Sequence, residues 1–298
     1  MKKPVSYIPS LIVSVILVFT IIATSALLLM DINATPSKLK NLAQKNNIES
    51  KVYSELEKYF TDKYNSTGIP AEVYMAPIDQ EYIRCFEEAI IDSAFEAVDG
   101  SGVMSAVRPQ NKALENSIDT FFNDFADKNN YEKDENFDLK LSNTKDNAYL
   151  TISSFCDVYK FSAMSSKGIL KKAARLYSNR LILTAAAIGF NIFLIVLLII
   201  INRKKRMTAM YWCGISAMIA GIIGAVPSIY LIATRYYDSF SIKQAAVFTA
   251  FTSAMYKLTE AFAAIQIALI VLGLATAVIY GIIGDKKKYP DTKPTQIS

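Results

Sequence analysis

Four stretches of this chain stay apolar for about as long as a bilayer is thick, and between them the apolar positions recur at helical spacing. The plainest run is Leu181–Ile201, LILTAAAIGFNIFLIVLLII plus a final Ile, uncharged throughout and closed by Asn202-Arg203-Lys204-Lys205-Arg206. About 21 residues form a helix of about 31 Å, the thickness of a hydrocarbon core, and in lipid a helix satisfies its own backbone hydrogen bonds. Similar runs cover 8–30, 207–232 and 261–283. The first follows Met1-Lys2-Lys3-Pro4 and contains Ala23-Thr24-Ser25-Ala26, which imitates a secretory signal with a cleavage site. It continues through Leu27–Met30, longer than a signal core, so an uncleaved first span is expected.

The polar stretch 31–180 reads as amphipathic helices. Pro36 opens one whose Leu39, Leu42, Ile48, Val52, Leu56, Tyr59 and Phe60 recur at spacings near 3 and 4, up to the breaker cluster Asn65–Pro70. Ala71–Pro77 reads as extended. A second helix spans about 78–98 with Ile78, Tyr82, Cys85, Phe86, Ala89, Ile90 and Ala97 on one face, stopped by Asp99-Gly100-Ser101-Gly102. A third spans about 109–128, with Leu114, Ile118, Phe121, Phe122 and Phe125 as its stripe. The alternation Phe137, Leu139, Leu141 suits a short strand. A fourth helix spans about 147–164, and Ile169, Leu170, Ala173, Leu176 and Tyr177 form an amphipathic stalk before the second run.

The expected fold is therefore an all-α integral membrane protein. Four transmembrane helices carry a predominantly helical extracellular domain inserted between helices 1 and 2. The expected segments are a cytoplasmic N-terminus (1–7), span 1 (8–30), the extracellular domain (31–180) and span 2 (181–201). A basic cytoplasmic loop (202–206), span 3 (207–232), a second extracellular segment (233–260), span 4 (261–283) and a cytoplasmic tail (284–298) follow. Within 233–260 the aromatics Tyr236, Tyr237, Phe240, Phe248, Phe251 and Tyr256 suit an interfacial position.

Charge fixes the expected sidedness. Residues 31–180 carry 19 Lys and Arg against 23 Asp and Glu, whereas the rest of the chain carries 13 against 4, and the whole is +5. The surplus of positive charge flanks the apolar runs, so it is no nucleic-acid footprint. Lys2/Lys3, Arg203–Arg206 and Lys286–Lys288 fall on one side of a four-span topology, which puts both termini in the cytoplasm. Lys167, Lys171, Lys172, Arg175 and Arg180 fall on the other side, but a long domain translocates largely regardless of its charge. The Lys-, Ile- and Asn-rich composition points to a bacterial cell membrane.

Candidate chemistry is sparse. With no histidine among 298 residues, Ser-His-Asp and Cys-His catalysis and His-ligated zinc are excluded. No phosphate loop, cofactor site or metal cluster is expected. Cys85 and Cys156 both fall on apolar faces of the expected domain and form a possible disulfide, the alternative being two buried thiols. Cys213, within a span, suits packing. Ala217, Gly221 and Ala225 in the third span, and Gly273, Ala277 and Gly281 in the fourth, form small-residue seams that let helices approach closely. Asn191, near the middle of the second span, and Gln266, near the outer end of the fourth, are intramembrane polar groups suited to hydrogen-bonding a neighbouring helix. No acidic or basic residue lies mid-membrane, which argues against ion coupling.

Asp134-Glu135-Asn136-Phe137-Asp138 imitates the start of a calcium loop, yet Leu139 stands where glycine is needed and Lys145 where glutamate is. Asn33-Ala34-Thr35 and Asn65-Ser66-Thr67 match a glycosylation sequon, which matters only in a glycosylating host. Glu87, Glu88 and Asp92 are the carboxylates an envelope enzyme would use, and the plainer reading is a solvated acidic face.

The expected function is non-enzymatic. An extracellular helical domain binds a protein, peptide or envelope component, and the membrane part packs in lipid with itself or with other membrane subunits. The alternative is a transport subunit. The order of span, large outer domain, span, short inner loop, span, smaller outer segment and span resembles FtsX- and MacB-type ABC permeases in layout alone. Those permeases touch their ATPase through a longer inner segment than Asn202–Arg206.

Overall fold

The computed structural model describes residues 7–286. Most of the expected cytoplasmic N-terminus and tail thus lies outside the described residues. Among the described residues twelve helices follow one another: α1 Tyr7–Asn33, α2 Pro36–Lys45, α3 Ile48–Thr67, α4 Ala71–Met75, α5 Gln80–Asp99, α6 Lys112–Lys128, α7 Glu135–Cys156, α8 Phe161–Ser166, α9 Ile169–Tyr177, α10 Arg180–Ile201, α11 Arg206–Ala233 and α12 Ala245–Lys286. A 3₁₀ turn at Tyr236–Ser239 precedes the last, and among the described residues there is no strand.

Local chemistry explains the helix ends. Pro36 sits in the first turn of α2, where its missing N–H costs nothing. Gly68 ends α3 in the left-handed region at φ 69° and returns its N–H to Tyr64 O. Asp79, Asn111 and Asp134 cap α5, α6 and α7 by accepting from the N–H groups of Tyr82, Leu114 and Phe137 at 2.7, 3.1 and 2.9 Å. The acidic run that imitates a calcium loop is therefore a helix start, with Glu135 and Asp138 in the first turn of α7. The same cap overturns the expected strand: Phe137 is buried while Leu139 is 60% exposed, and the buried phase continues at helical spacing through Ala148, Ile152 and Cys156. Ala71–Met75 is likewise a short helix, not an extended piece.

The chain forms two compact units. One comprises residues up to Asn33, Asn179–Tyr237 and Tyr256 onward; the other comprises Ala34–Ser178 and Asp238–Met255. The second, helical unit is thus not a single insertion between the first two spans, because the connection between α11 and α12 completes it. Ala246 and Ala250, four residues apart at the start of α12, are fully buried in its core. Glu55 Oε1 accepts from the Ala245 and Ala246 N–H groups, and Lys51 Nζ donates to Thr249 Oγ1 at 2.6 Å. A carboxylate on orphan N–H groups is the normal way to finish a helix start, so α12 begins at 245, well before the apolar run itself. Ile48, Val52, Leu56 and Phe60 of α3, Ile83, Phe86 and Ile90 of α5, Leu114 and Ile118 of α6, and Tyr149 and Ile152 of α7 fill the rest of that core.

The other unit is built inside out by the standards of a soluble protein. Its four long helices (α1, α10, α11 and the apolar part of α12) are each long and apolar enough to cross a membrane. Phe19, Leu181, Ile182 and Val226 are more than 60% exposed, while Ser10, Ser14, Thr24, Ser216, Ser228 and Gln266 are buried. Apolar outside and polar inside is the arrangement that lipid, not water, stabilises.

Candidate functional site

Hydrogen bonds between helices run along α1. Asn202 Nδ2 donates to Ser10 Oγ at 2.9 Å, the Ser14 and Ser216 hydroxyls meet at 2.6 Å, and Thr184 Oγ1 donates to Asp31 Oδ2 at 2.7 Å. Asn191 joins this series, accepting from Thr20 Oγ1 at 2.6 Å and donating to Thr24 Oγ1 at 2.7 Å. Both ends of its amide are occupied, as a packing role requires. A small cluster of Val13, Leu17, Leu194, Leu198, Ala209 and Trp212 fills the space beside these bonds.

The seams are partly as expected. Gly221 and Gly273 are in close interhelical contact: a Cβ on Gly221 would lie 2.6 Å from Gln266 O, and one on Gly273 would lie 2.6 Å from Gly214 O. Ala225 is buried and Ala217 and Ala277 half-buried, whereas Gly281 is exposed with nothing within 4 Å of its would-be Cβ and belongs to no seam. Gly214 and Gly224 complete the contact. Gly224 faces the Gln266 side chain, whose Cδ would be 2.6 Å from a Cβ there. Gln266 lies within α12, fully buried, with neither Oε1 nor Nε2 hydrogen-bonded. It therefore does not serve as the interhelical hydrogen-bonding group that its position in the sequence suggested.

In the helical unit the cysteines are free thiols, and the possible Cys85–Cys156 disulfide is absent. The physical reason is the phase of α5. Ile83, Phe86, Glu87, Ile90, Ile91 and Ala94 face inward, which turns Cys85 to the surface, where its thiol lies 3.7 Å from Glu81 Oε1. Cys156 is buried, and burial pushes its thiol well above the usual range. That phase also buries Glu87, 2% exposed, with Oε1 lacking a partner. Burial first, then the nearby Glu49 and Glu88 carboxylates, pushes Glu87 up to about 8. Glu88 and Asp92 are ordinary surface carboxylates: Gln44 Nε2 donates to Glu88 at 3.0 Å and Lys40 Nζ pairs with Asp92 at 2.6 Å.

A cleft of about 590 Å³ lies in this unit. That is within the range of ligand sites. It is lined by Ile90 of α5, by Asp146, Leu150 and Ser153 of α7, by Ser162 and Ser165 of α8, and by Met104–Arg108. Residues 103–111, between α5 and α6, form neither helix nor turn. Side chains pin the segment at both ends. Met104 N–H donates to Ser165 Oγ at 3.2 Å, and Ser105 O accepts from Ser93 Oγ at 3.1 Å. Pro109 O accepts from Tyr82 OH at 3.0 Å, and Asn111 N–H donates to Tyr149 OH at 2.8 Å. Gly102, at φ 74°, lets the segment turn against α9, since a Cβ there would sit 2.5 Å from Lys171 Cα. Between the pins, the backbone N–H and C=O groups of Ala106, Val107 and Arg108 have no hydrogen-bond partner among the described residues. Arg108 stacks over the Tyr149 ring at 4.5 Å and pairs with Asp146 at 2.6 Å, both half-exposed at the rim.

The cleft holds hydroxyls but no activated nucleophile among the described residues. Ser165 Oγ accepts from Met104 N–H, and Ser166 Oγ donates to Ala163 O. No carboxylate or amine is placed as a base beside either. Among the described residues, no group of three or more Cys, Asp or Glu side chains is placed to hold a metal ion. No family model, curated protein or solved structure matches this chain. The segment 103–111 escaped sequence reading because its backbone, not its side chains, carries the feature. The one legible signal was Pro109, which restricts Arg108 to extended geometry.

Proposed function

We propose that this chain is a non-enzymatic, multi-pass protein of a bacterial cell membrane, with both termini in the cytoplasm. Its helical unit, on the outer side, binds a polypeptide and acts through partner membrane subunits. The observation that carries the reading is the cleft beside 103–111, a ligand-sized concavity edged by unpaired backbone and without a nucleophile–base pair. Sidedness rests on Arg203-Lys204-Lys205 in the short turn between α10 and α11, where positive charge prefers the cytoplasm. A turn of that length holds no output domain between α10 and α11, and in this reading a binding event is passed on within the membrane. The glycine contacts of α11 and α12 illustrate the close approach that such packing uses.

The permease-like layout favours a transport subunit less, because the 202–205 turn gives a cytoplasmic ATPase little to grip. Affinity capture of the tagged full-length chain from native membranes in mild detergent tests the proposal. A stoichiometric membrane partner, or a homo-oligomer, is the expected result. Recovery of monomer alone would overturn it, and recovery of an ATPase would replace it with the transport reading.

A further inference from the structure

We infer that α9 is an interfacial helix that holds anionic lipid headgroups, its lysines on the phosphates and its two exposed aliphatic side chains in the outermost acyl layer. One face of α9 is spent on its own unit, with Leu170, Ala174 and Tyr177 buried. On the opposite face Ile169, Lys172 and Leu176 follow one another at i, i+3 and i+7 and so form a single row. Ile169 is 43% exposed and Leu176 61%. Lys171 and Arg175, also exposed, lie four residues apart beside that row, and Lys167 is exposed one turn earlier. Apolar positions flanked by basic ones are the pattern of a helix lying in the plane of a headgroup layer. The aliphatic groups then turn toward the acyl chains and the cations toward the phosphates.

Exposed aliphatic residues alone would be ordinary surface; two observations name lipid as the occupant. The first is the tether. Only Ser178 and Asn179 stand between α9 and α10, the helix that opens at Arg180 and is long and apolar enough to cross a membrane. From Tyr177 to Arg180 the chain reaches at most about 11 Å, which keeps the last turn of α9 beside the headgroup region where that span begins. The second is charge. No Asp or Glu occurs from Val158 to Tyr237. Asp157, the last carboxylate before that stretch, is buried and accepts from the Phe161 and Ser162 N–H groups at 2.8 and 2.9 Å. Among the described residues the ammonium groups of Lys167, Lys171 and Lys172 have neither an ion pair nor a hydrogen bond. A basic cluster next to a span is what the phosphates of an anionic bilayer attract. The inference needs the spans alone, not the outer placement of the unit or its cleft, so its failure leaves the proposed function to the capture experiment.

The test uses the full-length chain with its three native cysteines replaced by alanine and Leu176→Cys labelled with an environment-sensitive fluorophore. It is placed in nanodiscs of phosphatidylcholine alone or with about 30% phosphatidylglycerol. In the anionic discs the emission should move to the blue. Lipids carrying a nitroxide at the top of the acyl chain should quench it at least twofold more there than in the zwitterionic discs. The same label at Asn129, exposed beyond α6, should show no such difference. Lys167→Gln, Lys171→Gln and Lys172→Gln together, or NaCl raised from 50 to 500 mM, should remove the difference without lowering helix content. A second readout keeps Leu176: amide exchange of 169–177 in the parent chain should slow at least threefold in the anionic discs. Free inorganic phosphate added to the zwitterionic discs should reproduce neither effect. Equal signals in the two lipids overturn the inference. So does a blue shift that lipid nitroxides do not quench, which would mean that another polypeptide covers the face.

Discussion

At the scale of single residues, two of the buried groups with partnerless polar atoms, Glu87 and Gln266, are the most informative. Glu87 is the clearer. An ordinary glutamate ionises near pH 4.5, and this one is held protonated up to about 8 by burial and by Glu49 and Glu88. Between those values the unfolded chain is ionised there and the folded chain is not, so the folded state binds more protons. The contribution of Glu87 to stability is accordingly greatest below pH 4.5, falls by up to about 1.4 kcal/mol per pH unit through the window, and levels off above about 8. Glu87→Gln should flatten that slope and raise the melting temperature at pH 9, measured by circular dichroism in detergent. A variant as pH-sensitive as the parent would mean that Glu87 is solvated. Gln266 gives the second case. An amide buried without hydrogen bonds costs about 1–3 kcal/mol, and both of its polar atoms are in that state. Gln266→Leu, similar in volume, should leave the detergent melting temperature unchanged or raise it. A loss of several degrees would reveal a polar partner for the amide. Neither environment was legible in the sequence, because a lone Glu on an amphipathic helix reads as surface and a lone Gln in a span reads as an interhelical hydrogen-bonding group.

At the scale of elements, legibility followed the strength of the periodicity. The stripe Ile48, Val52, Leu56, Phe60 repeats every four residues and became one buried face of α3. The stripe assigned to α5 was rotated, since Tyr82, Cys85 and Ala89 were counted in place of Ile83, Glu87 and Ala94. A charged residue on the inner face misled the phase, and with it the placing of Cys85 on the same apolar side as a possible disulfide partner. Where alternation was only three residues long, at Phe137–Leu141, the cap decided instead. Asp134 accepts from Phe137 N–H and from Asn136 Nδ2, and those bonds hold its carboxyl below the usual range. Asp134→Ala removes that cap and should destabilise the helical unit, read as a lower urea midpoint. Adding millimolar calcium should move neither the parent nor the variant. A calcium-dependent midpoint in the parent would restore the metal-loop reading of this stretch.

At the scale of the molecule, the distribution of polarity decides which solvent each part of the chain meets. Four uncharged runs announced the spans, and their helices bury Ser10, Ser14, Ser216 and Asn202 while exposing Leu and Ile. That inversion follows from lipid being as apolar as leucine: close contact and hydrogen bonds draw helices together there, not hydrophobic burial. The contribution of Asp238–Met255 to the helical unit was not legible, because Ala246 and Ala250 are small residues within what reads as the approach to a span. Sidedness gives the decisive prediction. The charge argument sets a long, net-acidic helical unit against a turn holding Arg203, Lys204 and Lys205, and only the short turn is expected to obey the bias. With the three native cysteines replaced by alanine, Asn129→Cys, at an exposed position beyond α6, should react with a membrane-impermeant maleimide in intact cells. Arg203→Cys should react only after lysis. The reverse pattern would place the unit and its cleft in the cytoplasm, where an envelope polypeptide could not reach 103–111, and the proposed function would fall with the topology.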